Sequence, residues 1–221
     1  RMAIKTWGLA LKHAADDLRA SPSIVFEAVK KDGGALRYAA DDLRADRTIV
    51  LEAVKRDGCA LRYAADDLKA DPTIAHEAVK NDVGALRYVS DGLSGNPTIV
   101  LEAIKTWRLP GSALGYAADE LRADPSIVLE AVKMDGCALR YAADDLRADP
   151  TIVLEAVKTD GRALQDAADV LKADHTIVRQ AITSWGSWGT ALEYAADELR
   201  ADPSIVLEAV KMDGCALRYA A

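Results

Sequence analysis

Residues 35–59 read ALRYAADDLRADRTIVLEAVKRDGC, and this stretch decides the fold because the chain keeps returning to it. Most copies begin about 25 residues after the one before, and a fixed period of this size is typical of stacked repeats. Two steps are slightly longer than the others, those that start at Ala85 and at Ala163. We therefore predict one repeat array over residues 1–221, with eight full repeats and the start of a ninth. The repeats begin at an Ala-Leu pair, at Ala10, Ala35, Ala60, Ala85, Ala113, Ala138, Ala163, Ala191 and Ala216.

The repeats are themselves grouped into a longer period of three repeats. Residues 113–141 and 191–219 differ at a single position, Gly115 against Glu193. The longer repeats fall at every third place, so residues 35–112 and 113–190 are two equal blocks of three repeats each. This pattern indicates duplication of a whole triplet. Because the chain starts without Met and stops inside a repeat, we expect it to be part of a longer protein.

Each repeat is predicted to contain two short helices. In residues 60–69 the apolar side chains fill an arc of roughly 140° on a helical wheel. The second helix follows an acidic N-cap and a proline at its first position, as at Asp71–Pro72. Its apolar arc is wider, roughly 200°, so we expect it to be the more buried helix. It ends in Asp-Gly, and we expect Gly58 and its equivalents Gly136 and Gly214 to take the left-handed conformation.

These helices predict an all-α fold. One pair of short helices cannot bury so wide an apolar face alone, but packing between neighbouring pairs can bury it. We therefore predict an α-solenoid of two-helix repeats of about 25 residues, in a right-angle or superhelical stack.

The pattern ALxYAxDxLxxDxxIVxxAVKxDG resembles the repeat known as domain of unknown function 4116, over essentially the whole chain. The resemblance implies the same helical fold and carries no known activity. Members of that family are associated with unicellular algae and other microbes. The chain departs from the pattern at Asp166, where Tyr is usual, and at His175, where Pro is usual. Because of these two departures, the sequence does not predict how the helices near Asp166 and His175 are capped.

Charge and cysteine content narrow the function. The net charge is −7, from 35 acidic and 28 basic side chains, which argues against a general nucleic-acid groove and against adsorption to anionic membranes. The sequence contains no apolar window long enough for a membrane span and no visible targeting segment. Cys59, Cys137 and Cys215 occupy one repeat position and recur at every third repeat, so they are far apart along the stack and we expect free thiols. Free thiols favour a reducing compartment, such as the cytoplasm or the chloroplast stroma, and the compartment is otherwise unknown.

Two sets of side chains recur once per repeat and predict two ladders on the stack. Acidic pairs such as Asp41/Asp42 form one ladder, which we interpret as a solvated face or as a surface for a basic partner or loosely held cations. Tyrosines form the other ladder, with each ring packed on the next repeat or turned toward a partner. The tyrosines are Tyr38, Tyr63, Tyr88, Tyr116, Tyr141, Tyr194 and Tyr219.

The tryptophans are concentrated in the turns between repeats. Trp107 and Leu109 lie in one longer turn, and Trp185 and Trp188 lie in the other. Lengthened turns on a repetitive scaffold are common binding sites, and exposed Trp is enriched at binding hot spots. The alternative is that each Trp fills a wider gap between repeats. We include these four residues with the tyrosines as candidate partner-binding residues.

No catalytic residue, metal ligand or cofactor is predicted. His13, His76 and His175 occupy three different repeat positions, so no pair shares a helix face. We expect His76, which replaces a Leu, to be partly buried. The chain shows neither a phosphate-binding loop nor a nucleophile elbow nor the ligand spacing of a calcium loop. A nucleophilic Cys59 would need a nearby His and a polarising group.

The sequence therefore predicts a non-enzymatic scaffold or linker that binds protein partners through a long repetitive surface. Near-identical blocks suit a partner present in several copies, such as subunits of a large assembly. The algal association suggests an accessory subunit of a photosynthetic or other organellar complex. One alternative is RNA binding by helical repeats, using one Arg per repeat. Another is the recognition arm of a larger enzyme or of a microbial effector.

Overall fold

The protein is built from tandem helical repeats, as the sequence predicts. A computed structural model describes residues 10–105, 110–184 and 189–221, and every regular element in these ranges is helical. The chain divides into two compact units, Arg1–Arg108 and Leu109–Ala221, which are described separately below. In the described ranges, no helix has the length and hydropathy needed to cross a bilayer.

A typical repeat contains three helical segments, because the predicted first helix is divided in two. Six residues form a 3₁₀ helix, four form a short α-helix, and nine or ten form a long α-helix. The 3₁₀ helices are Gly33–Tyr38, Gly58–Tyr63, Val83–Tyr88, Gly136–Tyr141, Gly161–Asp166 and Gly214–Tyr219, with a shorter one at Thr190–Tyr194 and an α-helix, Pro110–Leu114, at the start of the C-terminal unit. The short α-helices are Asp16–Arg19, Asp41–Arg44, Asp66–Lys69, Asp91–Ser94, Asp119–Arg122, Asp144–Arg147, Asp169–Lys172 and Asp197–Arg200. The long α-helices are Pro22–Lys31, Arg47–Arg56, Pro72–Asn81, Pro97–Lys105, Pro125–Met134, Pro150–Thr159, His175–Thr183 and Pro203–Met212.

The division of the first helix lies at an Ala-Ala pair whose backbone is extended. Ala64 has φ −69° and ψ 157°, and Ala65 has φ −63° and ψ 155°. The N–H of Ala65 donates to the carbonyl oxygen of Arg44 in the preceding repeat, at 2.9 Å. A continuous helix would use this donor internally, so the break exchanges a local hydrogen bond for one between repeats. Equivalent bonds join Ala40 to Arg19, Ser90 to Lys69, Ala143 to Arg122, Ala168 to Arg147, Ala196 to Lys172 and Ala221 to Arg200.

The long helices begin as the sequence predicts. The Asp71 carboxylate accepts the N–H groups of Thr73 and Ile74, at 2.8 and 3.1 Å, and so caps the helix that starts at Pro72. Such a cap stabilises a helix by about 1 kcal/mol. His175 does not disturb this arrangement, because Asp174 caps its helix in the same way. The acidic cap is therefore sufficient to start the helix at His175 without a proline.

Alanine and branched aliphatic side chains make the core between repeats. Leu36, Leu61 and Leu86 occupy one repeat position and are at most 1% exposed. Leu217 occupies the same position in the last repeat of the sequence and is 61% exposed. Burial at this position therefore comes from the neighbouring repeat. Each buried Leu contributes about 1.5–3 kcal/mol to folding, so stability depends on stacking.

Close packing requires the glycine after three of the long helices, at Gly33, Gly58 and Gly136, and the predicted left-handed conformation is wrong. Gly189 is the one described glycine with a positive φ, 79°. A Cβ atom at Gly58 would lie 2.2 Å from the carbonyl oxygen of Ala78 on the next long helix. The 3₁₀ helix therefore approaches that backbone more closely than any larger residue allows. In the next repeat the same position is occupied by Val83. There the 3₁₀ helix Val83–Tyr88 packs less closely on the following long helix, Pro97–Lys105.

The second of the two longer turns leaves the stack continuous. Across this turn the N–H of Ala196 still donates to the carbonyl oxygen of Lys172, at 2.9 Å. Gly189 takes the place of the usual capping Asp at the start of the following 3₁₀ helix. The bond between repeats is therefore retained at this turn, although the turn is three residues longer than most of the others.

Candidate functional site

Arginine and tyrosine side chains form a column along the N-terminal unit. Each of three successive 3₁₀ helices ends in an Arg-Tyr pair, with an exposed Arg and a half-buried Tyr. The guanidinium carbon lies over the ring of its neighbour, at 5.1, 4.5 and 5.9 Å from the ring centroid in the three repeats. These distances are within the range of cation–π contacts. We call this set the Arg–Tyr column; it comprises Arg37, Tyr38, Arg62, Tyr63, Arg87 and Tyr88.

The column connects one repeat to the next. The Arg62 guanidinium interacts with Tyr88 of the following repeat as well as with its own Tyr63. Partial burial alone would lower the pKa of Arg62, but these contacts outweigh it and raise the pKa. In the C-terminal unit the Tyr141 ring lies against Gly115 of the preceding repeat, where a Cβ atom would be only 2.7 Å from the ring. The tyrosines therefore pack on adjoining repeats and leave part of each ring accessible.

The C-terminal unit contains the same positions with a different composition. Arg218 lies over the Tyr219 ring at 4.7 Å from its centroid, so one pair repeats the geometry. Arg140 precedes Tyr141 at the equivalent place, whereas the other three Arg positions of this unit are occupied by Gly115, Gln165 and Glu193. Asp166 replaces a tyrosine in this unit. An uninterrupted Arg–Tyr column is therefore a property of the N-terminal unit.

The acidic pairs are partly neutralised within their own short helices. Asp66 forms an ion pair with Lys69 at 2.9 Å, and this contact lowers the pKa of Asp66. Asp41 pairs with Arg44 in the same way. The second acid also has a local partner, since Asp67 Oδ1 accepts the N–H of Leu68 at 3.0 Å. The acidic ladder is thus less negative than its residue count suggests.

Several candidate residues from the sequence lie outside the described part of the chain. Trp107, Leu109, Trp185 and Trp188 fall in residues 106–109 and 185–188, and Trp7 falls in residues 1–9. Their role in partner binding stays a prediction.

Cys59 lies between two carboxylates, in a group that sequence reasoning did not identify. Ligand atoms of Asp57, Cys59 and Asp82 all lie within 4.8 Å of one another. Burial and the two carboxylates raise the pKa of Cys59 to about 11, so the thiol is the opposite of an activated nucleophile. Burial and the charge of Asp82 also raise the pKa of Asp57, although the N–H of Cys59 opposes this. The available signal was an Asp-Gly-Cys motif with another Asp at the equivalent position of the next repeat.

The C-terminal unit contains an equivalent group in which an arginine takes part. The Cys137 thiol donates to Asp160 Oδ2 at 3.5 Å, and burial and Asp160 raise its pKa to about 11. Arg162 binds both oxygens of Asp160 through Nε, each at 3.1 Å. Burial would raise the pKa of Asp160, but these contacts hold it below its usual value. Gly84 occupies the position of Arg162 in the N-terminal group.

The histidines are separated. His13, His76 and His175 are all exposed, so the expectation that His76 is partly buried is wrong. His76 is part of helix Pro72–Asn81, and His175 begins another long helix. Cys59 has carboxylates as its charged neighbours together with Arg62, an arrangement that disfavours a thiolate.

Comparison with known proteins yields one family. The sequence profile described as "Domain of unknown function (DUF4116)" matches residues 1–44, 22–69, 46–94, 96–147, 149–188 and 186–221. The matches overlap and extend along the whole chain, in agreement with the repeats seen in the structure. No curated protein and no solved structure gives a match.

Proposed function

Because the chain belongs to the family described as Domain of unknown function (DUF4116), a name that carries no activity, we propose from its surface that it is a non-catalytic scaffold that binds protein partners. The observation that carries the proposal is the Arg–Tyr column. Tyr and Arg are among the residues most enriched at binding hot spots. In the column they are already ordered against each other, so a partner meets a lower entropic cost on binding.

The chemistry of the column favours an extended partner with acidic and apolar side chains. Arg37, Arg62 and Arg87 are exposed and recur once per repeat, next to accessible faces of tyrosine rings. In two of the three repeats of the column the first acidic residue of the short helix is paired internally, Asp41 with Arg44 and Asp66 with Lys69. The exposed guanidinium groups of Arg37 and Arg62 can therefore pair with carboxylates of a partner, with the rings covering its apolar groups.

Repetition adds avidity. Equivalent sites in successive repeats let several copies of a partner, or several segments of one partner, bind side by side. A subunit of a large assembly is such a partner, and an accessory role in a photosynthetic complex is the case that the family resemblance suggests. The Trp-bearing turns would add specificity at intervals along the array.

RNA binding is the second candidate, and the same column is the observation that favours it. Aromatic rings alternating with arginines can stack bases and neutralise phosphates. The net charge of −7 and the exposed acids of the short helices oppose this interpretation. We therefore treat RNA binding as an outcome of the experiment rather than as the main proposal.

The experiment compares two triple variants that make the same change in charge. One replaces the column arginines Arg37, Arg62 and Arg87 with Ser. The control replaces Lys30, Lys55 and Lys80, which are also exposed and lie on the long helices of the same unit, with Ser. Purified chains are immobilised, incubated with nuclease-treated lysate and cross-linked, and contact sites are mapped by mass spectrometry.

We expect the wild type and the lysine control to capture one defined set of proteins, cross-linked along residues 33–94, and the arginine variant to lose it. Equal loss in both variants would mean that net charge alone governs capture, and would contradict the proposal. A parallel incubation with untreated lysate tests the alternative: capture seen there and absent from the nuclease-treated lysate would replace the proposal with RNA binding. A further variant, Trp107→Ala with Trp185→Ala and Trp188→Ala, tests the turns, and we expect it to retain helicity and lose part of the captured set.

A further inference from the structure

The Asp57–Cys59–Asp82 group combines three donors of the kinds that bind soft or borderline metal ions. Their ligand atoms lie within 4.8 Å of one another, so a single ion can reach all three. Asp57 Oδ1 accepts the N–H of Cys59 at 3.0 Å, and Asp82 Oδ1 accepts the N–H of Gly84 at 2.8 Å. These bonds fix both carboxylates in place, and the Cys59 thiol faces Asp82 through a side-chain contact that a metal ion would replace. The donors are therefore held in position by the backbone of two successive repeats.

The equivalent group of the C-terminal unit already contains a cation. There Arg162 lies on Asp160, beside Cys137, through contacts of its Nε and Nη2 atoms. In the N-terminal group the same position is Gly84, which brings no charge. Arg62 acts on the Cys59 thiol only through its charge, and its guanidinium is engaged with Tyr63 and Tyr88. The C-terminal group thus has a positive charge at this position, from Arg162, whereas the N-terminal group has an uncharged glycine there.

The space next to the Cys59 thiol is consistent with the difference between Gly84 and Arg162. A Cβ atom at Gly84 would lie 3.6 Å from Cys59 Sγ and 3.1 Å from Asp82 Oδ1. With hydrogen at this position, the side of the thiol that faces Gly84 carries no side chain. An arginine here, as in the C-terminal unit, would fill that side and place its charge on the carboxylate.

We propose that Asp57, Cys59 and Asp82 form a binding site for a thiophilic divalent cation of the Zn²⁺ class. Three protein ligands and one water complete the four-coordinate shell that Zn²⁺ adopts in proteins. The thiolate selects Zn²⁺ and Cd²⁺ over Mg²⁺ and Ca²⁺, which prefer oxygen ligands in larger number. On binding, the Cys59 thiol gives its proton to solvent, and the S–H bond is replaced by a metal–sulfur bond without any change of oxidation state. This site is independent of the partner-binding surface proposed above.

The test is a titration of the reduced, chelator-stripped chain with Cd²⁺, followed by the ultraviolet band of the metal–thiolate bond, and with Zn²⁺ by calorimetry. We expect one equivalent per wild-type chain and no displacement by excess Mg²⁺ or Ca²⁺. Cys59→Ser and Asp82→Asn are expected to lose the bound equivalent. Cys137→Ser and Cys215→Ser, which remove the other two thiols of the chain, are expected to retain it. Far-ultraviolet circular dichroism verifies that each variant is folded.

Two exchanged variants test the role given to Arg162. Gly84→Arg places the arginine in the N-terminal group, and we expect it to abolish binding there. Arg162→Gly frees the C-terminal group, and we expect a second equivalent bound through Cys137. A wild-type chain without a saturable thiolate band, a band unchanged in Cys59→Ser, or displacement by Ca²⁺ would each overturn the proposal. A Gly84→Arg chain that still binds, or an Arg162→Gly chain without a second equivalent, would contradict it as well.

Discussion

The backbone N–H of Ala65 and the carbonyl oxygen of Arg44 form a hydrogen bond of 2.9 Å that joins two successive repeats. Ala65 has φ −63° and ψ 155°, which are also the angles of a proline in extended backbone. Ala64 before it is extended too, as the residue before a proline prefers. The bond between repeats can therefore be removed by a substitution that the local backbone accepts.

We predict that Ala65→Pro lowers the free energy of unfolding by about 1–3 kcal/mol, because the Arg44 carbonyl loses its donor and meets the proline ring instead. Chemical denaturation followed by circular dichroism measures the change. Arg47→Pro is the matched control, since other repeats have proline at that position, for example Pro72. The control is expected to be neutral or to stabilise by up to about 1 kcal/mol. An Ala65→Pro chain as stable as the control would show that the bond is unimportant.

Gly58 and Gly214 occupy the same repeat position in different surroundings. A Cβ atom at Gly58 would be 2.2 Å from the Ala78 carbonyl oxygen, whereas one at Gly214 would have no heavy atom within 4 Å. We predict that Gly58→Ala destabilises the chain by about 1–3 kcal/mol through forced separation of two repeats. Gly214→Ala is expected to change stability by no more than about 0.5 kcal/mol. Thermal and urea denaturation measure both variants. An equal loss of stability in Gly58→Ala and Gly214→Ala would contradict the role of close packing.

Asp166 interrupts the tyrosine positions of the C-terminal unit, and its replacement tests what the tyrosines contribute. Burial raises the pKa of Asp166, although Arg140, Arg147 and Lys172 oppose this. We predict that Asp166→Tyr stabilises the chain by about 0.5–1.5 kcal/mol at neutral pH, through ring packing on the adjoining repeat. The converse substitution Tyr141→Asp is expected to destabilise it.

The gain from Asp166→Tyr is expected to depend on pH. The raised pKa means that the folded protein binds a proton at Asp166 more tightly than the unfolded chain does. The wild type therefore gains stability as pH falls through the range just above 3.8, and loses that gain as pH rises. The advantage of the variant should shrink in acid and reach its full size at neutral pH. Denaturation curves at several pH values measure it, and an advantage that grows in acid would contradict the assignment.

Asp82 is predicted to keep the Cys59 thiol protonated. With a pKa of about 11, Cys59 should be alkylated slowly at neutral pH, and its rate should rise with pH as the thiolate forms. Asp82→Asn removes a negative charge but retains the oxygen that caps Gly84, so the pKa should fall and alkylation should accelerate several-fold. The rate at Cys137, measured in the same chain with a chelator present, serves as reference. An unchanged ratio of the two rates would show that Asp82 does not control the thiol.

Local sequence was sufficient for the repeat length of about 25 residues, the long helices and most of their capping residues. Asp71 and Pro72 act at short range, so their effect on a helix start can be read without knowing what lies beside them. The division at Ala64 and Ala65 could not be read in this way, because Ala is the strongest helix former. It is a hydrogen bond to the preceding repeat that favours extended backbone there.

The candidate site shows the same limit. Periodicity placed the tyrosines in one column, but not the guanidinium of Arg62 between Tyr63 and Tyr88. Gly58 was expected to serve a turn, and it serves a contact with Ala78 instead. The meeting of Cys59 with Asp82 depends on the register between repeats, which a single repeat does not contain. Interactions within a repeat were therefore predictable, and those between repeats required the structure.

The bond from Ala65 to Arg44 uses main-chain atoms alone, and this has an evolutionary consequence. At the equivalent donor position Ser90 makes the same contact with Lys69, at 3.1 Å. Any repeat can thus follow any other without a matched change of side chains at this junction. Unequal recombination that adds or removes the codons of one whole repeat should leave a foldable product. Copy number then becomes a variable that selection can adjust freely, while residues on the surface diverge to recognise new targets.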